Sequence, residues 1–173
     1  MGMIRHDHEF RFCPLCGSRF NVLVLKKNEP ARLVCSSCAF IFFLDPKVVS
    51  CSITELDNKI VLLKRSIKPQ KGKWVMPGGY VERGEEVRAA AIRETREECG
   101  LEVRIKYLLG VYSYAGVLPI VVVYVAEHVS GDLIAGDEAL ETGLFSLAKI
   151  PWKELGFQST TEALTHYCER RKA

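Results

Sequence analysis

Residues Gly79–Leu101 read GYVERGEEVRAAAIRETREECGL, a glycine turn followed by an unusually dense set of carboxylates. The segment Glu85–Cys99 predicts a helix. On a helical wheel of about 100° per residue, Glu94, Glu97 and Glu98 fall within roughly one quadrant, and apolar residues lie to one side of them. One sector of this helix can therefore face the core while another carries a cluster of acidic groups.

Carboxylates crowded on one sector of a helix repel one another, by about a few tenths of a kcal/mol for each like-charged pair. A bound cation removes that cost. Hard divalent ions such as Mg²⁺ take oxygen ligands and keep positions open for water and phosphate, as phosphoryl chemistry requires. The acidic sector therefore predicts a divalent-cation site that works on phosphates.

The same stretch resembles the Nudix box, a motif with glycine, glutamate and arginine at defined spacings. The fixed positions of that motif are filled by Gly79, Glu85, Arg93, Glu94, Glu97, Glu98, Gly100 and Leu101. One position departs, because Thr95 stands where the family usually has Ile, Leu or Val. Thr95 lies on the predicted apolar face, so the departure concerns packing rather than metal binding. A merely charged surface helix would not explain the ordered spacing.

The resemblance to the Nudix family implies a fold of the α/β class, an α/β/α sandwich around a mixed sheet. It also implies that Glu94, Glu97 and Glu98 bind the catalytic Mg²⁺ or Mn²⁺ ions, and that the carbonyl of Gly78 adds a ligand. The metals would neutralise the charge of a diphosphate while one carboxylate accepts a proton from water. The sequence leaves open which glutamate is that base.

Three further residues are assigned catalytic roles by the resemblance. Glu85 and Arg93 are expected to form a salt bridge that fixes the glycine loop against the helix. Glu141 matches a glutamate that, in some family members, joins the metal site or activates water. Its neighbour Glu138 is the competing candidate for that role.

Two residues are candidates for binding the substrate. Arg65 could reach a phosphate, although an arginine that ends a strand is as often part of a structural ion pair. Tyr80 could stack on a ring of the substrate, although aromatic residues in strands are usually buried against the sheet. Trp74 is expected to pack in the core under the neighbouring loop.

Two CxxC motifs, Cys13 with Cys16 and Cys35 with Cys38, flank a segment that predicts a β-hairpin. Four thiolates complete a closed tetrahedral shell that suits Zn²⁺ and leaves no position for a substrate, so the site is expected to be structural. So short a segment cannot bury a stable core alone, and the metal would supply its folding free energy. Redox-active CxxC pairs and disulfides are the alternative interpretations.

The rest of the chain predicts alternating strands and helices. Val48–Ile53 and Lys59–Arg65 have the apolar, β-branched character of strands, and a short turn joins them. Near the C-terminus, Ser159 and Glu162 have the spacing of a capping box, which predicts the start of a final helix.

Length and composition limit the remaining possibilities. At 173 residues with 48% hydrophobic content, the chain can bury one main core and carry one small appendage. We predict a zinc ribbon at residues 1–45 and a Nudix domain at residues 46–173. The net charge of +3 does not indicate nucleic acid as a partner, although it does not exclude one. The longest apolar run, Val117–Ala126, is shorter than the roughly 20 residues of a membrane helix, and no signal-peptide pattern precedes it, so a cytoplasmic location without membrane association is expected.

The resemblance also bears on the substrate. Among ribbon-bearing Nudix pyrophosphatases, the chain is most similar to the ADP-ribose and FAD type, which is related to the NADH pyrophosphatases. The NADH enzymes carry a Ser-Gln-Pro-Trp-Pro-Phe-Pro run after the box. This chain lacks such a run, and the corresponding region contains Val111–Gly116 followed by Leu118 and Pro119. The resemblance implies a homodimer that cleaves ADP-ribose or FAD into two monophosphates. The alternatives are hydrolysis of NADH or NAD caps, RNA decapping, and a non-catalytic regulator that senses a nucleotide and binds nucleic acid through the ribbon.

Overall fold

The computed structural model describes residues 10–172, so the first nine residues of the expected ribbon and Ala173 lie outside it. The chain divides into two compact units, the first ending at Pro46 and the second beginning at Lys47. Between residues 10 and 172, no helix is both long enough and apolar enough to cross a membrane.

The first unit contains a small antiparallel sheet. Its strands are β1 (Phe20–Leu23), β2 (Arg32–Cys35) and β3 (Ile41–Phe42), with β2 in the centre. The rings of Phe20 and Phe42 stack with their centroids 5.7 Å apart. Among the described residues of this unit, only Cys13, Leu33 and Cys35 are buried. So small a core contributes little hydrophobic stabilisation, which is consistent with a fold held by a metal.

The second unit is a mixed sheet with two helices. Its strands are β4 (Val48–Leu56), β5 (Lys59–Arg65), β6 (Trp74–Val75), β7 (Gly78–Tyr80), β8 (Glu102–Tyr112), β9 (Ile120–Ser130) and β10 (Ala139–Phe145). The helices are α1 (Val87–Cys99) and α2 (Gln158–Arg170). The main strand order is β10-β5-β4-β9-β8, in which β4 and β9 are parallel and the other neighbours antiparallel. The short strands β6 and β7 pair with β5 and β4.

The two faces of the sheet bury separate apolar clusters. Successive residues of β5 alternate between them, with Ile60 in the first cluster and Val61 in the second, as the period of two in a strand requires. Helix α2 contributes Leu164 and Tyr167 to the first cluster, and α1 contributes Ala91 to the second. The sheet is therefore covered by one helix on each face, which confirms the predicted α/β/α sandwich.

The element boundaries follow local backbone chemistry. Asp57 and Asn58 join β4 to β5 with φ angles of 50° and 57°, the left-handed conformation that a two-residue hairpin turn requires. Helix α1 ends at Gly100, whose φ of 71° is typical of a C-terminal cap. The helix starts at Val87, two residues later than predicted, because Glu86 is extended and serves as the N-cap.

The start of α2 differs from the prediction. Its N-cap is Phe157, with extended backbone, and no side chain caps the first turn. Ser159 lies inside the helix, and the carboxylate of Glu162 accepts hydrogen bonds from Tyr114 and Gln158. The predicted capping box is therefore wrong, because the helix begins one residue before Ser159 and Glu162 bonds Gln158 and Tyr114 of the β8–β9 connection instead of a cap.

Candidate active site

Two glycines bring β7 against the acidic face of α1. Gly78 pairs with Cys51 between β7 and β4, and a Cβ at Gly78 would collide with the sulfur of Cys51. A Cβ at Gly79 would lie 2.5 Å from the carboxylate of Glu94. No side chain fits at such separations, so glycine is required for the carboxylate to approach the backbone.

Glu98 is the most buried carboxylate of the group, with 8% of its surface exposed. Its Oε2 accepts a hydrogen bond of 2.7 Å from the amide of Gly78. Burial raises the pKa of Glu98 to about 7, and the charges of Glu94 and Glu138 act in the same direction. The hydrogen bond from Gly78 and the charge of Arg65 oppose this rise. The backbone thus fixes a carboxylate that forms no ion pair within the part of the chain that the structure describes.

Arg93 connects the carboxylates to one another. Its guanidinium donates hydrogen bonds to Glu85 at 2.8 and 2.9 Å, to Glu94 at 2.7 Å and to Glu97 at 3.0 Å. It also donates to the carbonyl of Tyr80 at 3.1 Å, which ties the end of β7 to α1. The expected ion pair of Glu85 and Arg93 is present, and the hydrogen bond from Arg93 lowers the pKa of Glu85 to about 2.

These groups line part of a cleft of about 1280 Å³. The acidic residues in the lining are Glu82, Glu94, Glu97, Glu98, Asp137 and Glu138. The three glutamates expected on one sector of α1 therefore reach the same cavity, together with Gly78. Carboxylate oxygens are the ligands that Mg²⁺ and Mn²⁺ prefer, so the chemistry of this lining suits a divalent cation. Among the described residues, however, only the four cysteines of the first unit bring three or more ligand atoms within 4.8 Å of one another.

The structure separates Glu141 from Glu138. Glu141 forms an ion pair of 2.9 Å with Lys64 on β5, its side chain is half exposed, and it is not part of the cleft lining. Glu138 lines the cleft and contributes to the raised pKa of Glu98. A register shift between Ala139 and Glu141 separates the two positions, so spacing along the chain could not distinguish them.

Arg65 and Tyr80 both line the cleft. The Nε of Arg65 donates to the carbonyl of Pro69 at 3.0 Å, and its guanidinium lies 5.5 Å from the centroid of the Phe157 ring. Tyr80 is 57% exposed, so its ring is free of the sheet core that the alternative interpretation assigned to it. Trp74 packs edge-on against Phe145 at 4.9 Å, which confirms its predicted place in the core.

In the loop between β9 and β10, the sequence analysis named Glu138 as a candidate but missed Gly136 and Asp137 as part of the cleft. The amide of Gly136 donates to the carbonyl of Glu98 at 2.9 Å, and a Cβ at Gly136 would collide with the carbonyl of Glu97. This loop therefore packs directly on the end of α1 and brings Asp137 and Glu138 to the cleft. The sequence Gly-Asp-Glu at residues 136–138, directly before a strand, could have suggested a functional loop. No pattern in the neighbouring sequence, however, predicts that this loop packs on α1.

The four cysteines of the first unit form a second candidate metal site. The sulfurs of Cys13 and Cys38 are 3.7 Å apart, those of Cys16 and Cys35 3.4 Å, and all four lie within 4.8 Å of one another. Tetrahedral zinc with Zn–S bonds of about 2.3 Å places its ligands roughly 3.8 Å apart, so the group fits the ion. All four are free thiols, which argues against disulfides.

Sequence comparison identifies the same two regions. A family model described as the NUDIX domain matches residues 44–166, and one described as Nudix N-terminal, a zinc ribbon, matches residues 11–43. The chain is 39% identical over 141 residues to an ADP-ribose pyrophosphatase of Methanocaldococcus jannaschii, which is 79% of each protein.

Two further relatives differ in how much of them the chain spans. It is 30% identical over 150 residues to an NAD-capped RNA hydrolase, NudC, of Pseudomonas aeruginosa. That alignment takes in 85% of this chain but only 50% of the relative, so the chain spans about half the length of that enzyme. The crystal structure of a NUDIX hydrolase from Nitrosomonas europaea is 34% identical, with a TM-score of 0.90, covering 94% of this chain and 93% of that one.

Proposed function

The chain belongs to the Nudix hydrolase family, and from that premise we propose that it hydrolyses ADP-ribose or FAD at the phosphoanhydride bond. Water enters at one phosphorus, and the bond from that phosphorus to the bridging oxygen breaks. The products are AMP with ribose 5-phosphate from ADP-ribose, or AMP with FMN from FAD. The observation that carries the proposal is the carboxylate cluster of Glu94, Glu97 and Glu98, gathered by Arg93 and Gly78 at one large cleft.

We propose that Glu94, Glu97 and Glu98, with the carbonyl of Gly78, hold the catalytic divalent ions. Mg²⁺ or Mn²⁺ bound there would neutralise the diphosphate and stabilise charge that develops in the transition state. The chain itself fixes the ligands in advance. Arg93 restrains Glu94 and Glu97, and the amide of Gly78 restrains Glu98, so all three side chains are held at the cleft before the ions bind.

Glu138 is our proposed general base, in place of Glu141. It lines the same cleft as the metal-binding glutamates, and within residues 10–172 its carboxylate forms no ion pair of the kind that binds Glu141 to Lys64. An unpaired carboxylate can accept a proton from the attacking water. Arg65, on the same cleft, is positioned to contact a phosphate, and Tyr80 offers an exposed ring.

The size of the cleft favours a diphosphate that bridges two bulky groups. A cleft of about 1280 Å³ extends well beyond the carboxylates and includes residues of the β8–β9 connection and of α2. Contacts on both flanks of the diphosphate can orient the anhydride toward water, whereas a nucleoside triphosphate offers only one flank. The relative from Methanocaldococcus jannaschii is an ADP-ribose pyrophosphatase, which also favours a substrate of this kind.

We further propose that residues 1–45 are a structural zinc ribbon and residues 46–173 the hydrolase domain. The closed set of four sulfurs leaves no position for a substrate, so the ribbon takes no part in the chemistry.

The test is a metal-dependent hydrolysis screen of ADP-ribose, FAD, NADH and nucleoside triphosphates with product identification. We expect a higher kcat/KM for ADP-ribose or FAD than for NADH, with AMP among the products. Release of pyrophosphate from triphosphates, faster than cleavage of any dinucleotide, would overturn the substrate assignment and leave the family chemistry intact. NAD-capped RNA belongs in the screen because of the 30% identity to the capped-RNA hydrolase.

A further inference from the structure

The first turn of α2 lines the cleft with polar groups. Gln158, Ser159 and Thr160 all belong to the cleft lining. The first amides of a helix have no carbonyl partner within it, and here the N-cap residue Phe157 supplies no side-chain acceptor. No acidic residue lies in this turn either. The first turn of α2 therefore has no side-chain cap.

The side chains of Ser159 and Thr160 provide an independent observation. Ser159 is 8% exposed and Thr160 only 2%, yet in the part of the chain that the structure describes neither hydroxyl has a hydrogen-bond partner. Among the described residues, every side-chain nitrogen or oxygen atom that is completely buried has a hydrogen-bond partner. The unpaired hydroxyls of Ser159 and Thr160 are therefore not completely buried, and both residues line the cleft. Both hydroxyls are therefore available to hydrogen-bond a ligand that enters the cleft.

The remaining lining of the cleft limits what the ligand can be. Val49, Met76, Pro119 and Val121 contribute apolar side chains to the same cavity that holds the carboxylates. A cavity with an apolar surface and a few polar groups suits a flat ring that buries its faces and hydrogen-bonds along its edge. A nucleobase has this character.

The chemistry of hydroxyl groups favours a base edge over a phosphate. A phosphate only accepts hydrogen bonds and so uses a hydroxyl only as a donor, whereas a base edge can use a hydroxyl both as a donor and as an acceptor. The edge of adenine combines an amino donor with a ring-nitrogen acceptor. The first turn, Gln-Ser-Thr-Thr from Gln158, itself contains no lysine or arginine, and the nearby Arg65, 5.5 Å from the ring of Phe157, is assigned to the diphosphate.

We propose that Ser159 and Thr160 read the polar edge of the nucleobase of the substrate. This inference rests on the proposed function, because it takes the substrate to be a nucleoside diphosphate derivative. The carboxylates and the start of α2 then bind different parts of one molecule, the diphosphate and the base.

Calorimetry on the full chain with Mg²⁺ tests the proposal, using AMP and ribose 5-phosphate, which carry no anhydride and are not turned over. Wild-type protein should bind AMP more tightly than ribose 5-phosphate. Ser159→Ala and Thr160→Val should each weaken AMP by about five- to tenfold and leave ribose 5-phosphate unchanged. Thr160→Ser keeps the hydroxyl and lacks only the methyl group, so it should bind AMP as wild-type protein does. This variant separates loss of the hydroxyl from a change in packing.

Thr165→Val is the matched control, because it removes an exposed hydroxyl from the same helix outside the cleft and should leave both affinities unchanged. Equal weakening of AMP and ribose 5-phosphate would identify a phosphate or sugar site and overturn the proposal, as would unchanged AMP binding or equal affinity of wild-type protein for the two ligands. These readouts do not involve turnover. Failure of wild-type protein to cleave ADP-ribose would therefore overturn the proposed substrate without deciding the base site.

Discussion

At the scale of single residues, Arg93 explains how so many acidic groups can share one face of α1. Its planar guanidinium binds Glu85, Glu94 and Glu97 at once, a geometry that the single ammonium of lysine cannot reproduce. Glu98 lies outside this network and relies on the amide of Gly78. The acidic cluster is thus preorganised by one cation and one backbone donor, which leaves charge available for metals.

The first prediction concerns Glu98. Glu98→Gln keeps an oxygen that can accept the hydrogen bond from Gly78, so the fold should stay intact, but it removes a charged metal ligand. We expect turnover to fall by roughly two or more orders of magnitude with an unchanged thermal unfolding midpoint. Steady-state kinetics with saturating Mg²⁺ measures the loss, and Glu97→Gln should behave similarly.

Glu141→Gln is the comparison for that experiment. It neutralises a carboxylate of the same kind that pairs with Lys64 outside the cleft, so it should retain most of the turnover, while Glu138→Gln should lose it. Full activity in both Glu97→Gln and Glu98→Gln would sink the assignment of these residues to the metals. A severe loss in Glu141→Gln alone would restore Glu141 as the base.

At the scale of elements, the contact between α1 and β4 accounts for the departure from the family motif. The hydroxyl of Thr95 lies 2.7 Å from that of Ser52, donates to the carbonyl of Ala91, and is fully buried. Ser52 also bonds Thr54 at 2.8 Å. The threonine therefore matches polar residues of β4, and an aliphatic residue there would leave the Ser52 hydroxyl with one partner fewer. The position does bear on packing, as predicted.

A second contact joins β4 to α2 and β8 through Glu55. Its carboxylate accepts hydrogen bonds from Tyr167 on α2 at 2.6 Å and from Lys106 on β8 at 2.7 Å. Burial acts to raise the pKa of Glu55, but these hydrogen bonds, with the charges of Lys106 and Arg171, lower it overall. Because the folded pKa is depressed, the stabilisation is complete above the unfolded pKa and is lost as pH falls through the folded value.

The lowered pKa of Glu55 predicts how the stability of Glu55→Gln depends on pH. The variant should be less stable than wild type by about 1–3 kcal/mol at pH 7, and the difference should shrink as the pH falls below about 4. Urea unfolding followed by tryptophan fluorescence measures this in the second unit, which holds both tryptophans, Trp74 and Trp152. A difference that stays constant between pH 7 and pH 3 would contradict the ionic origin of the effect.

At the scale of the whole molecule, the two units are stabilised in different ways. The second unit buries two apolar clusters, one on each face of its sheet, so we expect its core to be stable without a metal. The first buries few side chains among its described residues and gathers four thiols within 4.8 Å. Its stability should therefore depend on zinc.

The corresponding prediction is that the purified chain binds Zn²⁺ in a one-to-one ratio. A chelator should loosen the first unit, seen as faster amide hydrogen exchange before Pro46, while the tryptophan signal of the second unit stays unchanged. Activity should return when Mg²⁺ alone is restored. Absence of zinc by metal analysis, in protein purified under reducing conditions, would rule out the zinc ribbon.

The sequence by itself determined what depends on spacing within a short segment. The positions of Glu94, Glu97 and Glu98 on one sector of α1 follow from the helical period, and the grouping of the cysteines follows from two CxxC turns. The turn at Asp57 and Asn58 follows from their tolerance of positive φ. Each of these features depends on residues that are close along the chain.

Only the tertiary structure decided which distant groups share the cleft. Whether Glu138 or Glu141 reaches it depends on the shifted register of β10 against β5 and on the packing of Gly136 on α1. The start of α2 was mispredicted because the helix begins at Gln158, before Ser159, and Glu162 of the apparent capping box bonds Tyr114, far along the chain. These outcomes depend on non-local pairing, in which one shifted residue redirects a side chain, and no pattern within a short window contains that information.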